Sequence, residues 1–397
     1  MHSRSSSGVG EGTLQLRTMS PNLIALAIPV FFLFIGLELF LARRRGVAVY
    51  RLADALADLG CGIGQRAVLV LGAVAVLGLY ALVYAKARLV TFAPGSLWPW
   101  VMAALGVELG YYWWHRLSHE VNLLWAVHVV HHQSEDYNLA VALRQAILSP
   151  LTVLPFYLPL AVLGVPLVQF AVVEALVTLY QFWIHTELVG RIGPLEALLN
   201  TPSHHRVHHA VNPQYLDRNY GGTFIVWDRL FGSFEKEDER CVYGVSHPLQ
   251  SFNPAWAQLQ PWVALLAEVA RAPSPGAALR YLFASPDYRP DWVGPTGLLR
   301  GRAGTPETKY EVHPGPTRTA YVFANFVLLV VGAFCLVMWG AELPLALRIT
   351  GVGLILLTLA TLGGLLEVRR WAPPLEAARW AVVAGSGVWV VLQRAVA

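Results

Sequence analysis

This chain of 397 residues is 55% hydrophobic and only 14% charged, whereas roughly a quarter of the residues in ordinary soluble domains are charged. The composition predicts a membrane protein, and Lys and Arg in cytoplasmic loops account for the modest formal charge of +4. No nucleic-acid-binding motif is present, so nucleic acid is not expected as a partner. The three cysteines are far apart and form no CxxC pair, which argues against a disulfide framework or a thiolate metal site.

Apolar runs of about membrane-crossing length recur along the chain. A Ser/Gly-rich segment, predicted to be a mobile tail, precedes the first run. Arginines in the loop 43–66 place that loop in the cytoplasm by the positive-inside bias, and the remaining runs then put both termini outside. The eight predicted runs are 22–42, 67–85, 97–114, 147–163, 166–184, 320–340, 345–366 and 377–392.

The predicted fold is all-α: a polytopic integral membrane protein of about eight membrane helices, with a histidine-rich two-metal site at the cytoplasmic face. The third run delivers His115 at its cytoplasmic end. Pro150, Pro155 and Pro159 interrupt the fourth run, so that helix could be kinked or re-entrant. The predicted regions are a tail (1–21), N-terminal membrane helices (22–114), a catalytic region (115–318) with a membrane hairpin (147–184), and C-terminal membrane helices (319–397).

Three clusters of histidines are the candidate metal-binding residues of this sequence. They are His115 with His119; His128 with His131 and His132; and His204 with His205, His208 and His209. Residues three or four apart share a helix face, so each cluster offers several imidazoles to one point. Histidine binds first-row transition metals well, and so many nitrogens indicate two ions with roughly four or five each. A thiolate-free site favours oxygen-activating iron, although ligand type alone leaves zinc open.

The position of a histidine along the chain indicates whether it is expected to bind the metal. His185 stands at the end of an apolar run and is expected to be a ligand, since ionisable residues at a membrane boundary are often functional; an interfacial histidine is the alternative. The third cluster is expected to form a helix that begins at Pro202 and is capped by Thr201. On that helix His204 is rotated about 100° from His205. It is therefore expected to be hydrogen-bonded rather than ligating.

Carboxylates and aromatic residues near the clusters are candidates for supporting roles. Ligating histidines usually donate their second N–H to a carboxylate or a carbonyl, and Glu120, next to His119, is the preferred acid. The acids are Glu108, Glu120, Glu135, Asp136, Glu187 and Asp228. The aromatic residues, which could wall an apolar tunnel or form an interfacial belt, are Tyr111, Tyr112, Trp113, Trp114 and Trp125. His247, in a proline-rich loop, is expected to be solvated.

The segments YYWWHRLSHEVNLLWAVHVVHH and NTPSHHRVHH, with NYGGTFIVWDRLFGSF, resemble the fatty acid hydroxylase/sterol desaturase superfamily of membrane di-iron enzymes. Within it they are most similar to the ether-lipid-cleaving branch, the alkylglycerol monooxygenases. The resemblance covers about residues 108–237. It implies iron ligands at His115, His119, His128, His131, His132, His205, His208 and His209, a further ligand at His185 and an important catalytic acid at Glu120.

The resemblance also implies an iron-dependent monooxygenase that uses O2 on a lipid alkyl chain. For an ether lipid, hydroxylation beside the ether oxygen gives a hemiacetal that collapses to an aldehyde and glycerol. No flavin, haem or iron–sulfur motif is present, so electrons must come from outside. The resemblance suggests a tetrahydropterin as donor, with a ferredoxin or a cytochrome as the alternative.

The sequence is also compatible with three other functions. The nearest is a hydroxylase or desaturase of a fatty acyl, sterol, carotenoid or amino-lipid chain. A zinc hydrolase is disfavoured because no HExxH helix is present. A catalytically silent membrane protein that keeps its histidines for structure is the third alternative.

Overall fold

The computed structural model describes residues 23–293 and 309–396, and it confirms the all-α prediction for this part of the chain. No strand forms among these residues. Two isolated β-bridges pair Leu199 with Phe224 and Ala210 with Tyr243. The predicted tail, 1–21, lies outside the described residues.

The α-helices of the described chain are numbered in order. They are α1 (Leu23–Arg45), α2 (Leu52–Ala87), α3 (Trp98–Glu120), α4 (Asn122–His132), α5 (Ser149–Val162), α6 (Leu167–Trp183), α7 (Pro202–His209), α8 (Val226–Phe231), α9 (Pro254–Val269), α10 (Pro275–Phe283), α11 (Pro316–Trp339), α12 (Leu345–Leu366) and α13 (Ala372–Val396). Short 3₁₀ turns lie at Val141–Leu143, Gly193–Ala197, Pro213–Tyr215 and Gly340–Glu342.

Each of the eight predicted apolar runs falls on a helix. Four of the described helices are long and apolar enough to cross a membrane: α1, α2, α12, and α11 with the turn that follows it. Helices α5 and α6 are apolar but shorter. The structure therefore indicates a membrane protein with four candidate spans, and the total of eight stays a prediction.

Helix α2 extends well beyond its predicted run. The stretch 52–66 was expected to be a loop, and this was wrong, because α2 begins at Leu52 and continues for 36 residues. At 1.5 Å per residue the helix is about 54 Å long. Its first turns carry Asp54 and Asp58, both buried, and the Asp58 carboxylate pairs with the guanidinium of Arg144 at 3.0 Å. Polar and charged residues favoured a loop here, whereas Asp54 and Asp58 are buried and have partners inside the protein, Ser134 and Arg144.

Two apolar cores form along α2. Helices α11 and α12 pack on its N-terminal half around Leu56, Phe326 and Leu359. Near its C-terminal end, Tyr80 stacks on Phe170 of α6 with ring centroids 4.3 Å apart, in a core shared with α3 and α5. Because α2 belongs to both cores, it joins the N-terminal and the C-terminal helices into one bundle.

The candidate site lies where α3, α4 and α7 meet, with α9 and α10 packed beside α4. Helix α9 contacts α2, α4 and α12. Trp125 of α4 packs with Leu265 of α9 and Tyr281 of α10 in a separate small core. Helices α9 and α10 therefore support α4.

Candidate metal centre

A break between α3 and α4 sets two histidine pairs against each other. Helix α3 ends at Glu120, Val121 is extended with φ −128° and ψ 120°, and α4 begins at Asn122. The Asn122 side-chain amide donates to the carbonyl of Tyr281 at 2.9 Å and holds this turn. The two helices meet through histidine rings. His115 and His119 on α3 face His128 and His132 on α4.

Helix α7 supplies the third histidine segment and begins at Pro202, as predicted. Proline suits this position because the first N–H groups of a helix have no intrahelical acceptor. The predicted side-chain cap by Thr201 was wrong. The Thr201 hydroxyl instead donates to the carboxylate of Glu196, five residues earlier, at 3.3 Å.

Arg206 anchors α7 to the segment that carries His185. Its guanidinium forms a two-pronged ion pair with Glu237, with both N–O distances at 2.7 Å. It also donates to the carbonyls of Thr186 and Val189 at 2.9 and 2.8 Å. Because Thr186 follows His185 directly, this one side chain sets the position of α7 relative to that histidine.

The nine predicted ligands gather into two buried groups, in each of which the candidate ligand atoms lie within 4.8 Å of one another. The first histidine group consists of His115, His119, His128, His132 and His208. The second histidine group consists of His131, His185, His205 and His209. All nine side chains are between 1% and 7% exposed. Whether they ligate metal remains a prediction, but their positions allow it.

The periodicity of the α-helix explains why the nine histidines divide into two groups. His131 and His132 are neighbours on α4, yet successive helix residues point about 100° apart, so the two rings enter different groups. His208 and His209 divide in the same way on α7. Residues four apart, such as His205 and His209, stay together. Two adjacent centres follow from this spacing.

Backbone carbonyls, more than carboxylates, orient the rings. Nδ1 bonds to a carbonyl oxygen in His115 (Tyr220, 2.7 Å), His131 (Arg144, 2.9 Å), His185 (Gln181, 2.7 Å) and His208 (Arg218, 2.9 Å). A carbonyl only accepts, so each Nδ1 carries the hydrogen and each Nε2 keeps a lone pair. Metal-bound histidines are held in the same way.

The facing nitrogens of His131 and His185 are the most informative contact. Their Nε2 atoms lie 3.3 Å apart, and both Nδ1 atoms already donate to carbonyls. Two lone pairs therefore face each other, and no hydrogen bond can join two neutral rings in this state. Two nitrogens bound to one metal at about 2.1 Å would lie roughly 3.0–3.4 Å apart. The Nε2 of His205 lies 3.0 Å from that of His185, a similar nitrogen–nitrogen distance.

In the first group the Nε2 atoms lie at similar distances from one another. The Nε2 of His128 lies 3.0 Å from that of His115 and 3.1 Å from that of His132. The buried Nε2 of His208 has no hydrogen-bond partner among the described residues. Burial lowers the pKa of His131 to about 4 and the pKa values of His128 and His132 well below their usual range. The rings are therefore neutral at pH 7, as metal ligands must be.

Arg144, which the sequence reasoning missed, supports the second group. Its carbonyl accepts the His131 hydrogen, and its buried guanidinium pairs with Asp58 of α2 at 3.0 Å. The same side chain donates to the Val130 carbonyl and the Gln133 amide oxygen at 2.6 and 2.9 Å. The available signal was an arginine that directly follows five apolar residues, 139–143, since a charge among apolar neighbours must be paired if it is buried.

Asp228 acts on His115 through a loop rather than by direct contact. Its carboxylate accepts hydrogen bonds from the backbone N–H groups of Tyr220 and Gly221, both at 2.7 Å, and from the Ser233 hydroxyl at 2.7 Å. The carbonyl of Tyr220 is the acceptor for His115 Nδ1. Burial raises the pKa of Asp228 to about 6.

The other predicted acids also lie away from the rings. Glu108 on α3 accepts hydrogen bonds from the backbone N–H groups of Thr223 and Phe224 at 3.1 and 3.3 Å, and so holds the far side of the same loop. Asp136 pairs with Arg51 at 3.0 Å. Asp217 was not among the predicted acids, but one of its carboxylate oxygens lies 3.8 Å from His119 Nδ1. The other two outlying acids are Glu135, which is buried, and Glu187, which is exposed.

Glu120 and His204 lie outside both groups. The Glu120 carboxylate bonds to Arg116 one turn earlier, at 2.9 Å, and its side chain is 41% exposed. A catalytic part for Glu120 therefore remains a prediction. His204, expected to be a bystander, packs edge-on against Phe234 with ring centroids 5.4 Å apart.

Two of the predicted aromatic residues wall the histidines. Trp114 is 6% exposed and packs edge-on against His128 at 5.5 Å. Trp125 is 5% exposed and lies 5.0 Å from the ring of His119. Both are buried against the first group, which does not fit the alternative of an interfacial belt at these positions.

Comparisons with known proteins show which family this chain resembles. Residues 100–233 match the family model "Fatty acid hydroxylase". The chain is 38% identical over 374 residues to the alkylglycerol monooxygenase of Xenopus tropicalis, covering 90% of this chain and 80% of that protein. It is 36% identical over 375 residues to the human alkylglycerol monooxygenase, covering 93% and 83%. An ornithine lipid hydroxylase of Rhizobium tropici is 34% identical over 146 residues, covering 34% and 44%. No solved structure matches significantly.

Helices of membrane-crossing length, buried histidine groups and the fatty acid hydroxylase match define a membrane-bound oxidoreductase that acts on lipids. This chain matches the two alkylglycerol monooxygenases over more than two thirds of their length, and this match narrows the class further. The chain belongs to the alkylglycerol monooxygenase family, and it is an oxidoreductase of the monooxygenase type.

Proposed function

We propose that this protein is a di-iron monooxygenase that uses O2 to hydroxylate a lipid alkyl chain, and that its substrate is an alkylglycerol ether lipid. One atom of O2 enters the carbon beside the ether oxygen. The other leaves as water, with two electrons and two protons supplied by an external donor, for which we propose a tetrahydropterin. The hemiacetal then breaks its C–O bond to give an aldehyde and the glycerol.

The facing nitrogens of His131 and His185 carry the metal part of this proposal. Two lone pairs held 3.3 Å apart by fixed Nδ1 hydrogen bonds repel each other unless a cation accepts both. Five nitrogens in the first group and four in the second suit two ions. Bound iron would supply the activation of O2, which protein side chains alone cannot provide.

The chain's own residues would position and enclose this chemistry. The carbonyls of Tyr220 and Arg144 hold the Nδ1 hydrogens of His115 and His131, which fixes the direction of each ring. Trp114, which is buried and packs on His128, shields that side of the first group from water. A water-poor, preorganised site favours attack on an unactivated C–H bond over side reactions.

We further propose that the protein crosses the membrane several times and that the histidine groups lie at the cytoplasmic face. The arginines 43–45 at the end of α1 support this orientation through the positive-inside bias. The catalytic region 115–318 would then lie between N-terminal and C-terminal membrane helices. Fusions of a reporter to loops on either side of the membrane test the orientation.

A second candidate is the hydroxylation of another lipid. The similarity to an ornithine lipid hydroxylase over 146 residues favours it. The chemistry at the metal would be the same, while the product would retain its whole carbon skeleton with one added oxygen. Product analysis therefore separates the two candidates.

Lipid mass spectrometry on proteoliposomes supplied with an alkylglycerol, O2 and a tetrahydropterin tests the proposal. We expect the wild type and His204→Ala to release aldehyde and glycerol, and His131→Ala to release neither. An added-oxygen or lost-hydrogen product on another lipid would support the second candidate instead. No metal-dependent change in any lipid would contradict both.

A further inference from the structure

Helices α9 and α10 each expose an apolar stripe. On α9 every exposed position carries an apolar residue. The large side chains of the two stripes, called the α9–α10 stripes, are Trp256, Leu259, Val263, Leu266, Leu279 and Phe283. All of them except Trp256 are 54–60% exposed. A large apolar area that stays open on a folded protein marks a surface that another molecule or a membrane covers.

Helical spacing places the α9 part of the stripes on one side of that helix. The four residues follow one another at intervals of three, four and three positions, so they lie within about 80° of the helix circumference. On the buried side, Leu265 packs on Trp125, and the Glu268 carboxylate accepts a hydrogen bond from the Tyr281 hydroxyl of α10. Helix α9 therefore turns a carboxylate inward and apolar side chains outward, the reverse of an amphipathic helix that faces water.

Helix α9 begins beside the end of a candidate membrane span. The Asn253 side-chain amide donates to the Ala360 carbonyl of α12 at 3.0 Å. A Cβ on Gly363 would lie 2.6 Å from the Asn253 Cα, so the two backbones touch. Helix α12 ends at Leu366, and the charged Glu367 follows it directly. The start of α9 is therefore at the level where a membrane-crossing α12 would leave the lipid.

The length and the charges of α9 and α10 suit the surface of a bilayer. Helix α9 has 16 residues, whereas a helix needs about 20 to cross the hydrocarbon core. The exposed charges of residues 254–283 are Arg271 and Arg280, both of them positive, and cations are attracted to lipid phosphate groups. A short helix with apolar residues on one side and arginines at its border is the form that binds along a bilayer surface.

We propose that the α9–α10 stripes lie in the lipid of the bilayer surface, so that two helices which do not cross the membrane seat the catalytic region on it. The inference goes beyond the proposed function, because it assigns a lipid-contacting surface outside both histidine groups. The position is transmitted to α4 by the hydrogen bond from the Asn122 amide to the Tyr281 carbonyl and by the packing of Trp125 on Leu265. The histidines are thereby held close to the lipid phase.

Nitroxide labels on single cysteines test what covers the stripes. The background is Cys335→Ala, because Cys335 is exposed whereas Cys61 and Cys241 are buried. The full chain, purified and placed in vesicles of phosphatidylcholine and phosphatidylglycerol, carries one label at Leu259→Cys or, as an independent second position, at Leu279→Cys. Access of each label to O2, which concentrates in lipid, is compared with access to a water-soluble nickel complex.

Two labelled variants serve as matched references. Leu328→Cys lies on the candidate span α11 and is 62% exposed, so it reports lipid. Gln214→Cys lies on an exposed turn beside Glu239 and reports water. We expect the labels at 259 and 279 to follow the lipid reference, with nickel access roughly tenfold below that of Gln214→Cys.

Three outcomes would overturn the proposal. Nickel access equal to that of Gln214→Cys would mean that the stripes face water in the isolated protein. Shielding from both reagents, with spectral broadening that unlabelled protein removes on dilution, would mean that a second copy of the chain covers them. Nickel access at the Leu328→Cys reference itself would contradict the membrane spans as well. None of these measurements depends on lipid turnover, so an inactive protein would contradict the proposed function alone.

Discussion

At the residue scale, the Nδ1 hydrogen bonds of four of the histidines determine what their Nε2 atoms can do. His131 and His185 both donate their Nδ1 hydrogens to backbone carbonyls, so the lone pairs of their Nε2 atoms face each other. Spacing in the sequence could identify these histidines, because residues one turn apart share a face. It could not reveal that the acceptors are carbonyls, since any residue type provides one.

Glu120 offers a residue-scale prediction. We expect Glu120→Gln to lower lipid turnover while leaving the iron content and the thermal unfolding midpoint nearly unchanged, because an exposed i,i+4 ion pair contributes only about 0.3–0.5 kcal/mol. Arg116→Gln is the control, since it removes the same ion pair and keeps the carboxylate. Equal turnover losses in both variants would show that the pair, rather than the acid, matters.

At the scale of the elements, the apolar runs and prolines located most helices but not the partners of their polar residues. Pro202 marked the start of α7 correctly. The stretch 52–66 looked like a loop because the partner of Asp58 is Arg144, 86 positions away. Such pairings depend on tertiary contact, and no local pattern encodes them.

The contact between α2 and Arg144 gives the element-scale prediction. Arg144→Met should lower the free energy of unfolding by about 3–5 kcal/mol, because it leaves the buried carboxylate of Asp58 without a cation. The double variant Arg144→Met/Asp58→Leu should recover part of this loss. Thermal unfolding in detergent measures both effects.

Arg191→Met is the matched control for this measurement. Arg191 pairs with Asp238 at 3.2 Å, but the two side chains are 47% and 61% exposed, so the change in stability should be near zero. An effect of Arg144→Met no larger than that of Arg191→Met would mean that the buried pair does not stabilise the site.

At the scale of the whole molecule, the buried histidines couple stability to pH. Burial lowers their folded-state pKa values, that of His131 to about 4, whereas an unfolded histidine titrates near about 6.5. As the pH falls below that value, the unfolded chain binds more protons than the folded protein. The free energy of unfolding therefore decreases.

We expect the thermal unfolding midpoint of the metal-depleted protein to be lower at about pH 5 than at about pH 7.5. His131→Leu should make this difference smaller, because one of the responsible rings is gone. A midpoint that is unchanged or higher at the lower pH would contradict the assignment of neutral, buried histidines.

The most direct test of the central claim is the number of iron ions per chain in the purified, iron-loaded protein. Two histidine groups predict about two ions in the wild type and in His204→Ala, since His204 lies in neither group. His205→Ala in the second group and His128→Ala in the first should each retain about one ion. One ion or none in the wild type, or the same loss in His204→Ala as in His205→Ala, would contradict a two-centre site.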